Sequence, residues 1–253
     1  MGHPLVLAAG SLLDCGASAM VDAAAAAGFD GVGLRLSGPH AVTDTSALRR
    51  RADGLGIYVH DTEVHRIGTD TADPAMIVGC SAALGATALL VVSDLPDHDD
   101  TIHRVAELSE VCARNGLMLG LEYMAWTHPS TPLAAIDVAR ATGCRLVVDL
   151  LHHVRVGAGV DELDAIVASG VLGWVQVCDA PLAPPPDGDV VHEARHRRLA
   201  PGRGELPLLE LLERVPDDVV ISVEVQSDAL AMTAVVERAR LLHDAASELL
   251  DRR

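Results

Sequence analysis

Short apolar runs recur along the chain and alternate with segments that have helical spacing. The runs are typical of buried strands and lie at residues 5–9, 31–36, 56–61, 88–94, 117–122, 145–150, 173–179 and 219–225. The segments between them contain helix-forming residues at helical spacing, and several end at a glycine, as at 17–28, 45–56, 101–116 and 131–143. The pattern predicts eight strands alternating with helices.

Continuous apolar strands joined by helices predict a parallel sheet that is covered on its outer face. Eight such units close a (β/α)8 barrel, and 253 residues is a typical length for that architecture. A doubly wound open sheet is the alternative, but no GxGxxG motif follows the first strand. We therefore expect an α/β protein, a (β/α)8 TIM barrel, with residues 1–253 forming a single domain. The segment PLAPPPDGD at 181–189 predicts a long loop after strand seven.

Composition and charge narrow the classes of function. Apolar residues make up 49% of the chain but only five residues are aromatic, so the core should consist of small aliphatic side chains. A net charge of −17 would repel a phosphate backbone, so we expect no nucleic-acid partner. No apolar stretch is long enough to span a membrane and the N-terminus has no basic leader, so we expect no membrane association and a cytoplasmic protein. The five cysteines lack CxxC spacing and are expected to be reduced core residues.

Acidic and amide side chains stand at the ends of four consecutive predicted strands. Glu122 closes strand five and Asp149 closes strand six, while Gln176 and Glu224 lie late in strands seven and eight. Because the C-terminal ends of barrel strands converge on one face, three carboxylates and one amide oxygen should meet there. A divalent cation would remove the repulsion between these carboxylates, although each acid could also end its strand independently. All-oxygen ligands suit a hard ion, and we expect Mn²⁺, with Mg²⁺ or Co²⁺ as alternatives.

Six segments carry a resemblance to a known family. They are GFDGVGLRL (28–36), LEYMAW (121–126), VVDLLHH (147–153), VQVCDAP (175–181), RHRRLAPGRGELPL (195–208) and ISVEV (221–225). Together they resemble the xylose isomerase-like TIM barrels over essentially the whole chain. That family includes sugar phosphate isomerases and epimerases, inosose and 3-dehydroshikimate dehydratases, and a nucleic-acid-cleaving branch. The resemblance implies metal ligands at Glu122, Asp149, Gln176 and Glu224, the same residues that stand at the strand ends.

Two features of the resemblance bear on the reaction. The seventh-strand ligand is often His in the epimerases and Gln in some dehydratases, so Gln176 weakens the epimerase interpretation. LEYMAW, and the pairing of VQVCDAP with RHRRLAPG, also resemble the 3-dehydroshikimate dehydratase pattern. The family loop often has the sequence PGEG, whereas Arg203 makes it PGRG here, and this departure makes the substrate uncertain.

The resemblance also implies substrate-binding roles for two residues. The DxxH spacing from Asp149 places His152 toward the substrate, with His153 as a competitor for that role. Arg198 matches the family arginine that precedes the PG dipeptide. The alternative for His152 is a histidine near a helix start that makes no contact with substrate.

Other candidates come from their positions next to the predicted strand ends. Glu63 and His65 follow predicted strand three and should line the mouth, or else belong to a solvated loop. Trp126, together with Tyr123, should form an apolar wall for a sugar or ring, or else seal the barrel top or a subunit interface. The alternative is stronger for Tyr123, which should point away from the ligand face. Arg35 and the run at 195–198 add positive charge near the mouth, where an arginine could clamp a carboxylate or phosphate or remain solvated.

The function expected from this site is a metal-dependent isomerase or epimerase acting on a sugar or another small polyhydroxylated carbonyl compound. A bound metal would stabilise the enediolate formed by proton abstraction, and the resemblance implies that Glu122 and Glu224 transfer protons on opposite faces of the substrate. A dehydratase begins with the same abstraction and is the first alternative. A non-catalytic or partner-dependent barrel is the second, a phosphodiesterase of abasic DNA is a distant third, and a homo-oligomer is left open.

Overall fold

Eight parallel strands close into a barrel in which each strand pairs with its neighbours in sequence and β8 pairs with β1. This is a computed structural model, and it describes residues 2–36, 42 and 44–253. The strands are β1 Leu5–Leu7, β2 Gly31–Arg35, β3 Tyr58–Ile67, β4 Ala88–Ser93, β5 Met118–Glu122, β6 Arg145–Asp149, β7 Leu172–Val177 and β8 Ile221–Val223. The predicted (β/α)8 barrel is confirmed.

Helices follow the strands and cover the outside of the barrel. The α-helices are α1 Ala17–Ala27, α2 Thr45–Leu55, α3 Pro74–Leu84, α4 His98–Arg114, α5 Pro132–Thr142, α6 Leu150–Arg155, α7 Val160–Ser169, α8 Val190–His196, α9 Leu208–Leu212, α10 Asp228–Ala231 and α11 Val235–Leu250, and a 3-10 helix spans Ala9–Leu12. The segment 181–189 lies in the loop between β7 and α8, as the sequence predicts. Within the described ranges, no helix has the length and apolarity needed to cross a bilayer.

Alternate residues of the strands separate the barrel interior from the outer layer. Along β4, Leu90 and Val92 join an inner cluster with Trp174, while Leu89 and Val91 belong to the larger cluster between sheet and helices. Both faces of the strand are therefore apolar, as expected for a parallel sheet buried on both sides. This arrangement explains why the strands appear in the sequence as continuous apolar runs.

Strand β3 differs from its prediction. It extends over Tyr58–Ile67, whereas the sequence indicated 56–61, so Glu63 and His65 lie within the strand and not in a loop after it. The pairing register of β3 shifts against both neighbours, between Val32 and Leu34 on β2 and between Thr62 and His65 on the β4 side. The second half of β3 is polar but mostly buried, so hydrophobic patterning could not detect it.

The inner cluster depends on one glycine. Trp174 is fully buried, and a Cβ atom added at Gly120 on β5 would lie 2.2 Å from its indole ring. Because tightly packed interiors relax only in part, any side chain at position 120 would force the indole out of place.

We predict that Gly120→Ala lowers the free energy of unfolding by about 1–3 kcal/mol, because overpacking displaces Trp174. The matched control is Gly79→Ala in the middle of α3, where an added Cβ meets nothing within 4 Å. The control should be neutral or stabilising, since alanine favours a helix over glycine. Denaturant unfolding of both variants measures the difference, and equal stability of the two would contradict the account of the inner cluster.

Candidate active site and metal centre

A pocket of about 310 Å³ opens at the C-terminal ends of the strands. Glu122, His152, Arg198 and Glu224 line one side of it, and an apolar wall that includes Trp126 adjoins them. The C-terminal face of a barrel is where catalytic residues from different strands come together. The pocket is therefore the candidate active site.

Asp149 is fixed by the abrupt change from β6 to α6. It is the last residue of the strand and the N-cap of the helix, where its Oδ1 accepts hydrogen bonds from the amides of Leu151 (2.8 Å) and His152 (3.0 Å). Its Oδ2 accepts a 2.6 Å hydrogen bond from Arg198 Nη1. Burial alone would raise the pKa of Asp149, but the charges of Arg198 and His152 and these hydrogen bonds outweigh it and lower the pKa. Asp149 is thus an ionised anchor of the site.

Arg198 is buried and held on several sides. Its Nε donates to the carbonyl of Ala194 at 2.6 Å, and its Nη1 donates to the carbonyl of Glu224 at 3.1 Å in addition to Asp149. The carboxylate of Glu224 lies 3.8 Å from the same Nη1. The sequence suggested that Arg198 positions substrate oxygens. In the structure its hydrogen bonds go to one carboxylate, that of Asp149, and to two backbone carbonyls, and the residue also lines the pocket.

The two adjacent histidines face different surroundings. His152 lines the pocket, with its Nε2 3.3 Å from Arg198 Nη2 and 3.6 Å from Glu122 Oε1, and burial lowers its pKa to about 4. Because a guanidinium only donates, Nε2 of neutral His152 accepts this hydrogen bond. His153 instead contacts the carbonyl of Gly159 through Nε2 (2.8 Å) and the hydroxyl of buried Tyr123 through Nδ1 (2.6 Å). Tyr123 and His153 therefore brace β5 against α6 behind the site.

Glu122 and Glu224 approach the pocket from β5 and from just beyond β8. Burial, followed by the charges of Glu224 and Asp149, raises the pKa of Glu122 well above its ordinary value. Glu224 Oε1 accepts a 3.1 Å hydrogen bond from Gln226 Nε2, and a Cβ added at Gly10 would lie only 2.3 Å from the same oxygen. Gly10 therefore leaves room for the Glu224 carboxylate.

The donor set fits a bound cation. Ligand atoms of Glu122, Asp149 and His152 all lie within 4.8 Å of one another. Gln176 pairs in register with Asp149, and its buried Oε1 has no hydrogen-bond partner in the described part of the chain. Buried polar atoms are normally satisfied, so an unpaired amide oxygen beside clustered carboxylates indicates a missing positive partner. This group contains two acids and His152, whereas Glu224 is not part of it. The all-oxygen ligand set expected from the sequence did not include a histidine.

A second acidic group lies on β3. Glu63 lines the pocket, and its Oε1 lies 3.6 Å from Arg35 Nε. Burial raises the pKa of Glu63 to about 7 against the charge of Arg35, and burial likewise raises the pKa of Asp61. Both carboxylate oxygens of Asp61 lack a hydrogen-bond partner among the described residues. The acidic character of the mouth thus extends beyond the four strand-end residues.

The remaining predicted residues divide into two groups. Trp126 and Arg35 line the pocket, and the Trp126 ring lies edge-on to His152 with centroids 5.0 Å apart. His65 does not line it: its side chain borders a neighbouring cavity, where its Nδ1 lies 3.2 Å from Asp70 Oδ2. The sequence placed His65 at the mouth, whereas in the structure it borders this neighbouring cavity, close to the register shift in β3.

Several residues of the pocket do not stand out in the sequence. Gln226 follows Glu224 by two positions, a spacing that places both on one side of an extended segment and that could have been noticed. Arg66 and Met124 line the pocket from β3 and from beyond β5. Gly10 follows the first apolar run without any sequence motif, so nothing in the sequence marked its contact with Glu224.

The chain belongs to the xylose isomerase-like TIM barrel family, whose model matches residues 21–248. The chain covers only 44% of a xylose isomerase-like TIM barrel/4-hydroxyphenylpyruvate dioxygenase fusion protein, at 20% identity and a TM-score of 0.81 over the whole of this chain. No curated protein matches the sequence.

Other solved structures share the complete barrel. The IOLI protein with a bound zinc atom has a TM-score of 0.84 and 14% identity over 100% of this chain and 99% of its own. The probable 3-DHS dehydratase AsbF from Bacillus anthracis has a TM-score of 0.75 and 14% identity, with 98% of both chains covered. D-allulose 3-epimerase from Methylomonas sp. has a TM-score of 0.70 and 17% identity over 98% of this chain and all of its own. The TM-scores show a shared fold, and at identities this low the likeness extends to the fold alone.

We predict that Glu63→Gln stabilises the metal-free protein in a pH-dependent way. A raised pKa means that folded Glu63 holds its proton more tightly than the unfolded chain, so its contribution to stability is present below its ordinary pKa of 4.5 and is lost as the pH rises toward about 7. The variant should match wild type near the lower pH and exceed it at alkaline pH by on the order of 3 kcal/mol. Urea unfolding of both proteins across this range measures the effect, and a difference independent of pH would contradict it.

Proposed function

We propose that this chain is a divalent-metal-dependent isomerase or epimerase acting on a sugar or a similar polyhydroxylated carbonyl compound. The observation that carries the proposal is the convergence of Glu122 and Glu224, from opposite flanks of Asp149 and Arg198, on one small pocket. Two acids facing one pocket can remove a proton from a bound substrate and return it at another face or atom. The soluble, cytoplasmic character and the single-domain organisation of the chain remain part of this proposal.

The electrostatics support the need for a cation. Glu122 must be ionised to act as a base, yet burial and the charges of Glu224 and Asp149 raise its pKa. Glu122, Asp149, Gln176 and Glu224 would hold the ion, with His152 within reach. A divalent cation there would polarise the substrate carbonyl and make the adjacent C–H bond more acidic. Our choice remains Mn²⁺, with Mg²⁺ or Co²⁺ as alternatives, and the zinc atom of the IOLI structure adds Zn²⁺ to the ions to be tested.

The protein's own groups then supply the proton transfers. Glu122 would take the proton from the carbon next to the carbonyl, which leaves an enediolate, and Glu224 would deliver a proton on the other face. Arg198 and His152 lie between these two acids and would hold the substrate oxygens in place. Trp126 would pack against the apolar face of the substrate, as aromatic side chains do in sugar sites.

A dehydratase is the alternative that a specific observation favours. The unpaired oxygen at position 176 belongs to an amide and not to a histidine, and in the resemblance this ligand is Gln in some dehydratases and often His in the epimerases. The fold shared with the probable 3-DHS dehydratase is compatible with it. In that case, the same abstraction by Glu122 is followed by loss of a β-hydroxyl group, with Glu224 as the acid that protonates it. A barrel that binds its ligand without turnover, or that needs a partner, is the remaining alternative.

We predict that the protein reconstituted with Mn²⁺ retains about one ion per chain and that Glu122→Gln or Asp149→Asn loses most of it, because each variant removes a charged ligand. Elemental analysis after dialysis measures the content. The exposed acid Glu210 offers a control, and Glu210→Gln should bind metal like wild type. Unchanged metal content in both site variants would remove the metal site from the proposal.

We predict that a substrate incubated in D₂O gains deuterium at the carbon next to its carbonyl, because the transferred proton exchanges with solvent. Proton NMR on a panel of keto sugars, inososes and dehydroshikimate detects the exchange. Loss of a hydroxyl-bearing carbon signal with formation of a new C=C bond, or of an aromatic ring from dehydroshikimate, distinguishes dehydration from isomerisation. Glu224→Gln, tested at saturating Mn²⁺ with its occupancy measured, should keep metal and lose exchange.

The wild-type result also decides between enzyme and binding protein. If a compound binds to the metal-loaded protein but neither exchanges nor reacts, the isolated chain is not an enzyme for it. A ligand-binding or partner-dependent role would then replace the proposed isomerase.

A further inference from the structure

The pocket has two chemically different halves. One half holds the carboxylates of Glu122, Asp149 and Glu224, which come from β5, β6 and the end of β8. The other half carries three arginines and one acid, Glu63: Arg35 ends β2, Arg66 and Glu63 lie in β3, and Arg195 enters from α8. Asp94 directly follows β4. Burial alone would raise its pKa, but hydrogen bonds to Arg66 and Thr69, and to a smaller extent the charges of Arg66 and Arg195, lower it. Arg195 therefore lies on the β4 side.

The arginines around the pocket are not equally available to a ligand. Arg66 forms two hydrogen bonds with Asp94, one of them from Nε at 2.8 Å, and Arg198 is held by Asp149. Arg195 is exposed, and among the described residues no acidic group lies within ion-pair distance of it. Arg35 has one acidic neighbour, Glu63 at 3.6 Å, and its buried Nε has no hydrogen-bond partner in the described ranges.

The positive charge of Arg195, which has no acid within ion-pair distance among the described residues, stands out in this acidic molecule. The chain has 36 acidic and only 19 basic residues, so acids are plentiful as partners for arginines. A guanidinium presents several N–H groups in a planar fork that matches a carboxylate or phosphate. Inside a cleft with low-dielectric walls, the attraction between such groups is stronger than on an open surface.

We propose that the substrate carries an anionic group, a carboxylate or a phosphate, which Arg195 and Arg35 bind at the β2–β4 side of the mouth. This inference rests on the proposed function, because it places the reacting carbonyl over Glu122 and Glu224 in the other half. The volume of about 310 Å³ suits one small molecule that reaches both halves. An anion in the carboxylate half would be repelled, so the charge pattern fixes which end of the substrate enters first.

The test compares matched charged and neutral probes on the Mn²⁺-loaded protein. D-fructose 6-phosphate is paired with D-fructose, and 3-dehydroshikimate is paired with its methyl ester. Calorimetry, or quenching of the pocket residue Trp126, measures each affinity. We expect at least one anionic probe to bind about tenfold or more tightly than its neutral counterpart, as for a charge-assisted hydrogen bond. The pair that shows the advantage identifies phosphate or carboxylate as the recognised group.

Two neighbouring arginines provide the variant and its control. Arg195→Ala should remove most of the advantage of the charged probe, while Arg197→Ala should keep it, because exposed Arg197 pairs with Asp187 and does not line the pocket. Bound Mn²⁺ itself attracts anions, so the comparison between the two variants in the same metal state isolates the arginine. Both substitutions are at exposed positions, which leaves the fold intact.

Two results would overturn the proposal: equal binding of charged and neutral probes in both pairs, or an advantage that survives in Arg195→Ala. Metal-dependent deuterium exchange on neutral sugars without any anion advantage would leave the isomerase function standing and remove the anion subsite. Anion binding that depends on Arg195, in a protein that catalyses no deuterium exchange, would keep the anion subsite and remove the isomerase function.

Discussion

The carboxylates at the barrel mouth repel one another, and the buried guanidinium of Arg198 offsets part of that repulsion. Its hydrogen bonds reach Asp149 at the end of β6, the carbonyl of Glu224 after β8 and the carbonyl of Ala194 in α8. One side chain thus links the ends of two strands to α8, two of whose residues line the pocket. Removing one partner of such a buried pair leaves the other charge uncompensated, so the arrangement of the whole mouth depends on this contact.

A single arginine does not neutralise all the acids nearby. The charge of Arg198 lowers the pKa of Asp149, its closest acidic partner. Burial raises the pKa of Asp61, Glu63 and Glu122. The site can meet the remaining demand for positive charge by holding protons or by holding a cation. Because Glu122 belongs both to the acid cluster and to the candidate ligand set, cation binding and its acidity are coupled. Under the proposed function, a cation at this position would favour the ionised form of Glu122.

The architecture was predictable because every strand buried on both faces leaves an apolar run, and the strand-end positions of Glu122 and Asp149 follow from where those runs stop. The second half of β3 could not be found in this way, because its polar side chains are buried by neighbouring strands far away in sequence. The environment of Arg198 was equally hidden, since its hydrogen-bond partner Asp149 lies 49 residues away. Local patterns give the strands, whereas the pairing of charges depends on how loops close over them.

The protonation of His152 decides what kind of positive charge the reacting end of the pocket can offer. Burial lowers its pKa to about 4, so the imidazole is neutral near pH 7 despite the adjacent carboxylates. Its Nε2 then accepts a hydrogen bond from Arg198 and cannot act as a cation beside Glu122. Arg198 pairs closely with Asp149, and although its charge lowers the pKa of Glu122, burial and the neighbouring acids raise that pKa by more. In the proposed function, a divalent cation held between β5 and β8 would supply additional positive charge, while Arg195, which has no acid within ion-pair distance in the described ranges, would bind the anionic group of the substrate.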